Sequence, residues 1–235
     1  MTLLTLVQET ADLLSIPRPA TVVGSTDTQT RQLFALANEE GRASAKSYDW
    51  QALTREWVWT TNSGFDQTGA IPDDLDRFYS NSFYNRTTIR PMLGPITPQT
   101  WQAIKAYPQI NSVYLSFRIR NDIYLVTPQG EDGDTAAYEY ITLNWCVAAN
   151  GDGKPAFTND SDTTVLPEWL FTLGLRWRFR KSKNLDYAED FRTYQSELQQ
   201  LQARDGGNGN LDITGKNLYN PYGLPNIPVG SFPGS

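Results

Sequence analysis

Residues 164–204 read TVLPEWLFTLGLRWRFRKSKNLDYAEDFRTYQSELQQLQAR, and the reading of this stretch decides the fold. Trp169, Leu170, Leu173, Trp177 and Phe179 recur at mostly three- and four-residue steps, the spacing that gathers side chains on one side of an α-helix. Arg176, Arg178, Arg180, Lys181 and Lys183 crowd the end of that run. A second amphipathic run starts at Leu185 and stops at Arg204, just ahead of Gly206-Gly207. Such helices are marginal alone and need a partner surface.

The N-terminal residues supply that surface. Leu3, Leu6, Val7, Ala11 and Leu14 follow helical spacing over Thr2–Leu14, with Thr2 as the cap, and Pro17 and Pro19 end the pattern. Ser25–Asp27 are cap-type residues for a second helix whose apolar side carries Leu33, Phe34, Leu36 and Ala37 and which continues toward Tyr48. Trp50 and Leu53 sit where this helix ends or a short one follows.

From Arg55 the period changes. Glu56–Thr60 is aromatic and β-branched and predicts a strand. Ala70–Leu75 predicts a short strand leading into a turn, Phe78–Ile89 a broken strand pair and Arg90–Pro95 an edge or loop element. Thr97 and Pro98 open a short helix ending near Ala106. Val113–Ile119 and Ile123–Val126 flank Arg120-Asn121-Asp122 as a hairpin. Gln129–Thr135 reads as a polar loop, Tyr138–Val147 as the last long strand, and Asp160-Ser161-Asp162 as the cap of the C-terminal helix pair. After Asp205 the composition shifts to glycine, asparagine and proline with spaced Leu, Tyr and Ile, a segment that cannot bury its apolar groups on itself and suits extended binding.

The fold class is therefore α+β: a helical bundle from the N- and C-terminal helices (1–54 and 161–205), an inserted antiparallel β domain (55–160), and an extended C-terminal tail (206–235).

Composition narrows the function. The chain has 235 residues, a formal net charge of −6, no histidine and one cysteine. Without histidine there is no Ser-His or Cys-His nucleophile pair and no imidazole metal ligand. One cysteine makes neither an intrachain disulfide nor a zinc site, and Cys146 reads as a small buried hydrophobe. The acidic balance argues against general nucleic-acid binding. No apolar run approaches membrane-spanning length, and Met1-Thr2-Leu3-Leu4 lacks the basic start of a secretory signal. No cofactor and no membrane contact are expected.

The carboxylates at Asp73-Asp74, Glu131/Asp132/Asp134 and Glu189-Asp190 are weighed as acid–base pairs and read as exposed charge in turns or on helix surfaces. Asp205, Asn208, Asn210 and Asp212 offer oxygen ligands but miss the calcium-loop spacing. Asn85-Arg86-Thr87 and Asn159-Asp160-Ser161 match the glycosylation tripeptide. The basic run from Arg176 to Lys183 has two readings. It is either a solvated helix side paired with acids such as Glu168, Asp186 and Glu189, or a patch facing another subunit or nucleic acid; the acidic total favours protein contacts.

Several segments together resemble a known family: Leu3-Leu4-Thr5-Leu6-Val7-Gln8, Ile16-Pro17-Arg18-Pro19, Val22-Val23-Gly24-Ser25-Thr26-Asp27, Gln32-Leu33 through Gly41-Arg42, Tyr48-Asp49-Trp50-Gln51, Gly174-Leu175-Arg176-Trp177 and Leu185 through Phe191. Over residues 1–205 the chain resembles the head–tail adaptor proteins of tailed bacteriophages and is similar to the tail tubular protein A class of short-tailed phages. The resemblance implies a non-enzymatic homo-oligomeric ring, commonly of twelve subunits, assembled in the host cytoplasm and seated in the virion between the portal protein and the tail nozzle. DNA would pass through its channel without sequence-specific binding. The portal-binding residues would be Leu218, Tyr219, Pro221, Tyr222, Leu224, Pro225, Ile227, Pro228 and Phe232, and the subunit interface Arg176, Arg178, Arg180, Lys181, Lys183, Glu189 and Asp190. A carbohydrate-binding tail protein and a virion-associated hydrolase are the competing expectations.

Overall fold

The computed structural model describes residues 1–79, 81–106 and 114–206. The chain is α+β, with five α-helices and antiparallel sheets among the described residues. Helix α1 spans Leu3–Leu13 and α2 spans Thr28–Ser47. Each opens on the expected cap. Thr2 Oγ1 accepts the Thr5 N–H at 3.3 Å, and an Asp27 carboxylate oxygen accepts the Thr30 N–H at 2.8 Å. The Thr30 N–H and hydroxyl hold the Asp27 carboxyl below its ordinary range.

Helix α3 spans Pro98–Ala106, α4 Glu168–Ser182 and α5 Ala188–Asp205. Helix α4 ends as sequence rules for C-termini ask. Asn184 takes a left-handed φ of 55°, the Leu185 N–H reaches the Arg180 carbonyl and the Asn184 N–H the Lys181 carbonyl.

Helix α4 is the centre of the helical layer. Every residue from Leu170 to Leu175 is buried, so no single side faces solvent there, and the helix packs on α1, α2 and α5. Leu3, Leu6, Val7, Leu33, Ala37 and Trp50 fill the same core, joined by Trp145, Cys146 and Phe157 from the segment after the sheets. Two glycines set the spacing. A Cβ on Gly174 would come within 2.3 Å of the Glu40 side chain, and one on Gly41 within 2.3 Å of the Trp145 ring. Helix α5 is attached by fewer groups, with only Asp190 and Tyr194 buried.

The sheet layer forms around β8 (Thr135–Thr142). It pairs with β1 (Thr54–Thr60) from Thr54 opposite Ile141 to Thr60 opposite Thr135. Its other edge carries β3 (Leu75–Phe78) and then β4 (Tyr84–Asn85), which continues to β5 (Arg90–Pro91). A second sheet orders β2 (Gly64–Gln67), β7 (Ile123–Gly130) and β6 (Ser116–Arg120) with β7 central. The β6–β7 turn is the two-residue kind that matches strand twist: Asn121 and Asp122 have φ of 51° and 56°. Trp59, Phe83, Phe117, Tyr124 and Tyr138 fill the core between the sheets, with Phe117 and Tyr124 stacked at 5.0 Å. A third small sheet joins β9 (Cys146–Val147), β10 (Gly153–Lys154) and β11 (Thr163–Thr164) against the start of α1.

Four expectations are corrected. Ala70–Leu75 is not a strand. Ala70 is fully buried with its carbonyl accepting the Tyr138 hydroxyl at 2.7 Å, and pairing with β8 begins only at Leu75. Tyr138–Val147 is not continuous. The Leu143 N–H turns aside to the Asp74 carbonyl, which ends β8, and Cys146 joins a different sheet. The expected loop at Gln129–Thr135 starts late, because β7 pairs as far as Gly130. Asp160 and Asp162 do not cap α4, which begins after Pro167. Asp160 instead accepts the Val22 and Val23 N–H groups, the latter at 2.7 Å. Asp162 accepts from Thr158 N–H and Lys154 Nζ. Asp160 meets donors from across the fold and Asp162 donors within its own loop, so neither is left for a helix that begins at Glu168.

Candidate functional site

Arginines at every second position of α4 point to two sides of the helix, because two residues turn it by about 200°. Arg176 and Arg180 meet α5, and Arg178 meets α2. Asp190 is the acceptor on α5. Its Oδ1 lies 2.6 Å from Arg176 Nη2 and its Oδ2 2.9 Å from Arg180 Nη1.

On α2 the acceptor is Glu40, which is fully buried. Arg178 Nε donates to it at 2.7 Å, the Tyr194 hydroxyl at 2.7 Å and the Ser44 hydroxyl at 2.8 Å. Glu39 holds the other end of Arg178. Burial, with the Glu40 carboxylate alongside, pushes the Tyr194 phenol well above its ordinary range. Three helices thus meet at one buried carboxylate with three donors. A buried carboxylate is tolerated only when paired and hydrogen-bonded in this way.

The acids proposed from the sequence as partners are not the ones used. Glu168 takes the Met1 ammonium, Asp186 accepts the Ala188 N–H, and Glu189 is exposed. Arg176 and Arg180 use Asp190, one residue past Glu189, and the partners of Arg178, Glu39 and Glu40, lie about 140 residues upstream, which no local pattern reports.

Of the seven residues expected at a subunit interface, Arg176, Arg178, Arg180 and Asp190 make ion pairs inside the chain. Lys181, Lys183 and Glu189 are exposed and form no ion pair among the described residues. The ammonium groups of Lys181 and Lys183 lie over the rings of Trp177 and Phe179, at 5.6 and 5.3 Å. Large apolar groups are exposed at both ends of α4: Trp169 at its start, at 50%, and Leu185 and Tyr187 beyond its end, at 56% and 38%. The expected tail residues, from Leu218 to Phe232, lie outside the described residues.

The remaining candidates have structural neighbours. Asp74 accepts the hydroxyls of Tyr140, at 2.9 Å, and Thr142, at 2.6 Å, so it anchors the end of β8. Asp134 is buried and accepts from Asn85 at 2.9 Å. The reading of Asp134 and Asp190 as exposed charge is therefore overturned: both reach donors that the fold brings from elsewhere. Asp73, Glu131, Asp132 and Glu189 are exposed as read. Burial raises the Cys146 thiol to about 12 and removes its thiolate character near neutral pH.

No group of three or more Cys, Asp or Glu side chains among the described residues is placed to hold a metal ion. Asp205 accepts the Gln51 N–H at 2.8 Å, while Asn208, Asn210 and Asp212 lie outside the described residues. No described helix is long and apolar enough to cross a membrane. Compared with known proteins, the chain matches no family model and no curated sequence.

Proposed function

We propose that this chain is a head-to-tail adaptor of a tailed-phage virion. It is a helical bundle of N- and C-terminal helices with an inserted antiparallel β domain, and it closes into a ring between portal and tail nozzle that continues the DNA channel. One observation carries the reading. The segments whose residues resemble that family are spread from Leu3 to Phe191, and residues from each of them contribute to one hydrophobic core. Those segments belong to a single physical unit rather than to scattered likenesses.

A cyclic ring needs heterologous contacts that close on themselves. In this reading Lys181, Lys183 and Glu189, with Leu185 and Tyr187 in the same stretch and Trp169 at the far end of α4, meet the neighbouring subunit. Apolar and aromatic groups in such numbers suit an interface core. Arg176, Arg178, Arg180 and Asp190 hold that surface in place from inside. The tail residues Leu218–Phe232 meet the portal, and DNA passes without sequence-specific contacts.

The test is electron microscopy of the purified protein mixed with portal rings. A closed ring of adaptor with rotational symmetry, stacked on the portal, is expected. A protein that stays monomeric and unattached at every concentration overturns the reading.

A further inference from the structure

The second half of α2 and the segment after β8 leave a recess of about 140 Å³. Ala45, Leu143, Trp145 and Pro155 give it an apolar lining, and Arg42 and Lys46 of α2 supply two cations. Apolar voids of roughly 150 Å³ take one small hydrocarbon group. Arg42 and Lys46 stand at i and i+4, so they share one side of the helix. Both are exposed, and neither forms an ion pair among the described residues. Asp76 also lines the recess but is already held by Arg77. The recess therefore suits one aliphatic side chain flanked by carboxylates.

The turn after α4 carries that combination. Leu185 is exposed, and Asp186 and Glu189 beside it are exposed and form no ion pair among the described residues. The cations nearest to them in sequence, Lys181 and Lys183, lie over the Trp177 and Phe179 rings of their own helix. Other exposed apolar groups fit less well. Ile89 sits between Arg86 and Arg90, and the acid beside Trp169, Glu168, holds the Met1 ammonium.

Leu185 cannot fill the recess of its own chain. Gln32 Nε2 donates to Ser182 Oγ at 2.7 Å, which fixes the end of α4 beside the start of α2. Arg42 and Lys46 lie about 15 and 21 Å further along α2. The chain from Ser182 to Leu185 spans at most about 11 Å.

We propose that Leu185 of one subunit seats in this recess on the next, with Asp186 and Glu189 against Arg42 and Lys46. The two surfaces occupy different places on the chain, so the contact is heterologous and repeats from subunit to subunit. The inference rests on the ring reading and names the two surfaces that meet.

Charge reversal in the full chain tests it, with sedimentation velocity reading assembly and melting curves confirming that each variant is folded. Arg42→Glu with Lys46→Glu, and separately Asp186→Lys with Glu189→Lys, place like charges in contact. Each double variant alone should need an about hundredfold higher concentration to assemble than wild type. Mixed in equal amounts and alternating, the two restore an opposite-charge pair at every contact, and assembly should return toward the wild-type concentration. Variants that assemble singly as wild type does overturn the inference and leave the ring reading standing. So does a mixture of the two folded variants that stays dissociated. Wild type that remains monomeric at every concentration overturns the ring reading and this inference together.

Discussion

The helical layer and the sheet layer bury different polar chemistry. In the helical layer a fully buried carboxylate, Glu40, gathers α2, α4 and α5 through Ser44, Arg178 and Tyr194. In the sheet layer two phenols lie inside the aromatic core. Tyr124 and Tyr138 are almost wholly buried among aromatic rings, and the Tyr138 hydroxyl ends on a backbone carbonyl. A charge fixes which helix faces which, because an unpaired buried charge is far costlier than a misplaced ring. A ring cluster tolerates repacking as long as volume is kept. The helical layer is thus specified by pairing, and the sheet layer by bulk.

The largest expected effect breaks the pairing. Arg178→Ala leaves Glu40 buried without its cation and should cost about 3–5 kcal/mol, measured by urea unfolding. A double variant with Glu40→Gln should recover part of that loss. Full additivity of the two changes would refute the hub.

The next effect belongs to the sheet layer and appears at high pH. Burial raises the phenols of Tyr124 and Tyr138 above the ordinary value of 10.0. A phenol held protonated in the native state releases its proton in the unfolded state first. Its contribution is present below pH 10 and is lost as pH rises beyond it. The expected slope is about 1.4 kcal/mol per pH unit for each such phenol. Tyr124→Phe with Tyr138→Phe should flatten the alkaline limb of a stability profile. Tyr194→Phe should flatten it by one phenol only, which compares the two layers directly.

A smaller effect is local. Asp27→Ala removes the cap of α2 and should lower the midpoint of thermal or urea unfolding, with Asp27→Asn nearly neutral. On the acid side burial would raise the Asp162 carboxyl, but the N–H groups of Thr158 and Asn159 and the Lys154 ammonium outweigh it and hold the group below the ordinary value of 3.8. Its contribution is present above that value and is lost as pH falls below it. Asp162→Asn should remove that part of the acid dependence. The smallest effect expected concerns Cys146. With its thiol raised to about 12, native protein at pH 8 should resist alkylation and react only on unfolding.

How much was legible depended on range. The caps at Thr2 and Asp27, the helix opened by Thr97 and Pro98, and the turn at Asn121-Asp122 are settled within four or five residues, and they occur where the pattern places them. The strand boundaries were less legible. Whether Tyr138–Val147 is one strand or two depends on the Asp74 carbonyl drawing off the Leu143 N–H, a contact across 69 residues. Of the candidate site, the basic run on α4 was plain in the sequence. The partners of Arg178 were not, because Glu39 and Glu40 gave no periodic sign that they would face it.

By itself, then, the sequence determined the helices, the caps of the first two, the β character between them and the charge on α4, since each of these rests on steric preference and nearby hydrogen bonds. Only the tertiary structure decided what that charge does. Gly174 lets α4 approach α2 closely enough for Arg178 to reach Glu40, and the turn after Asn184 brings Asp190 back to Arg176 and Arg180. An ion pair is formed by distance in space, and spacing along the chain does not encode it.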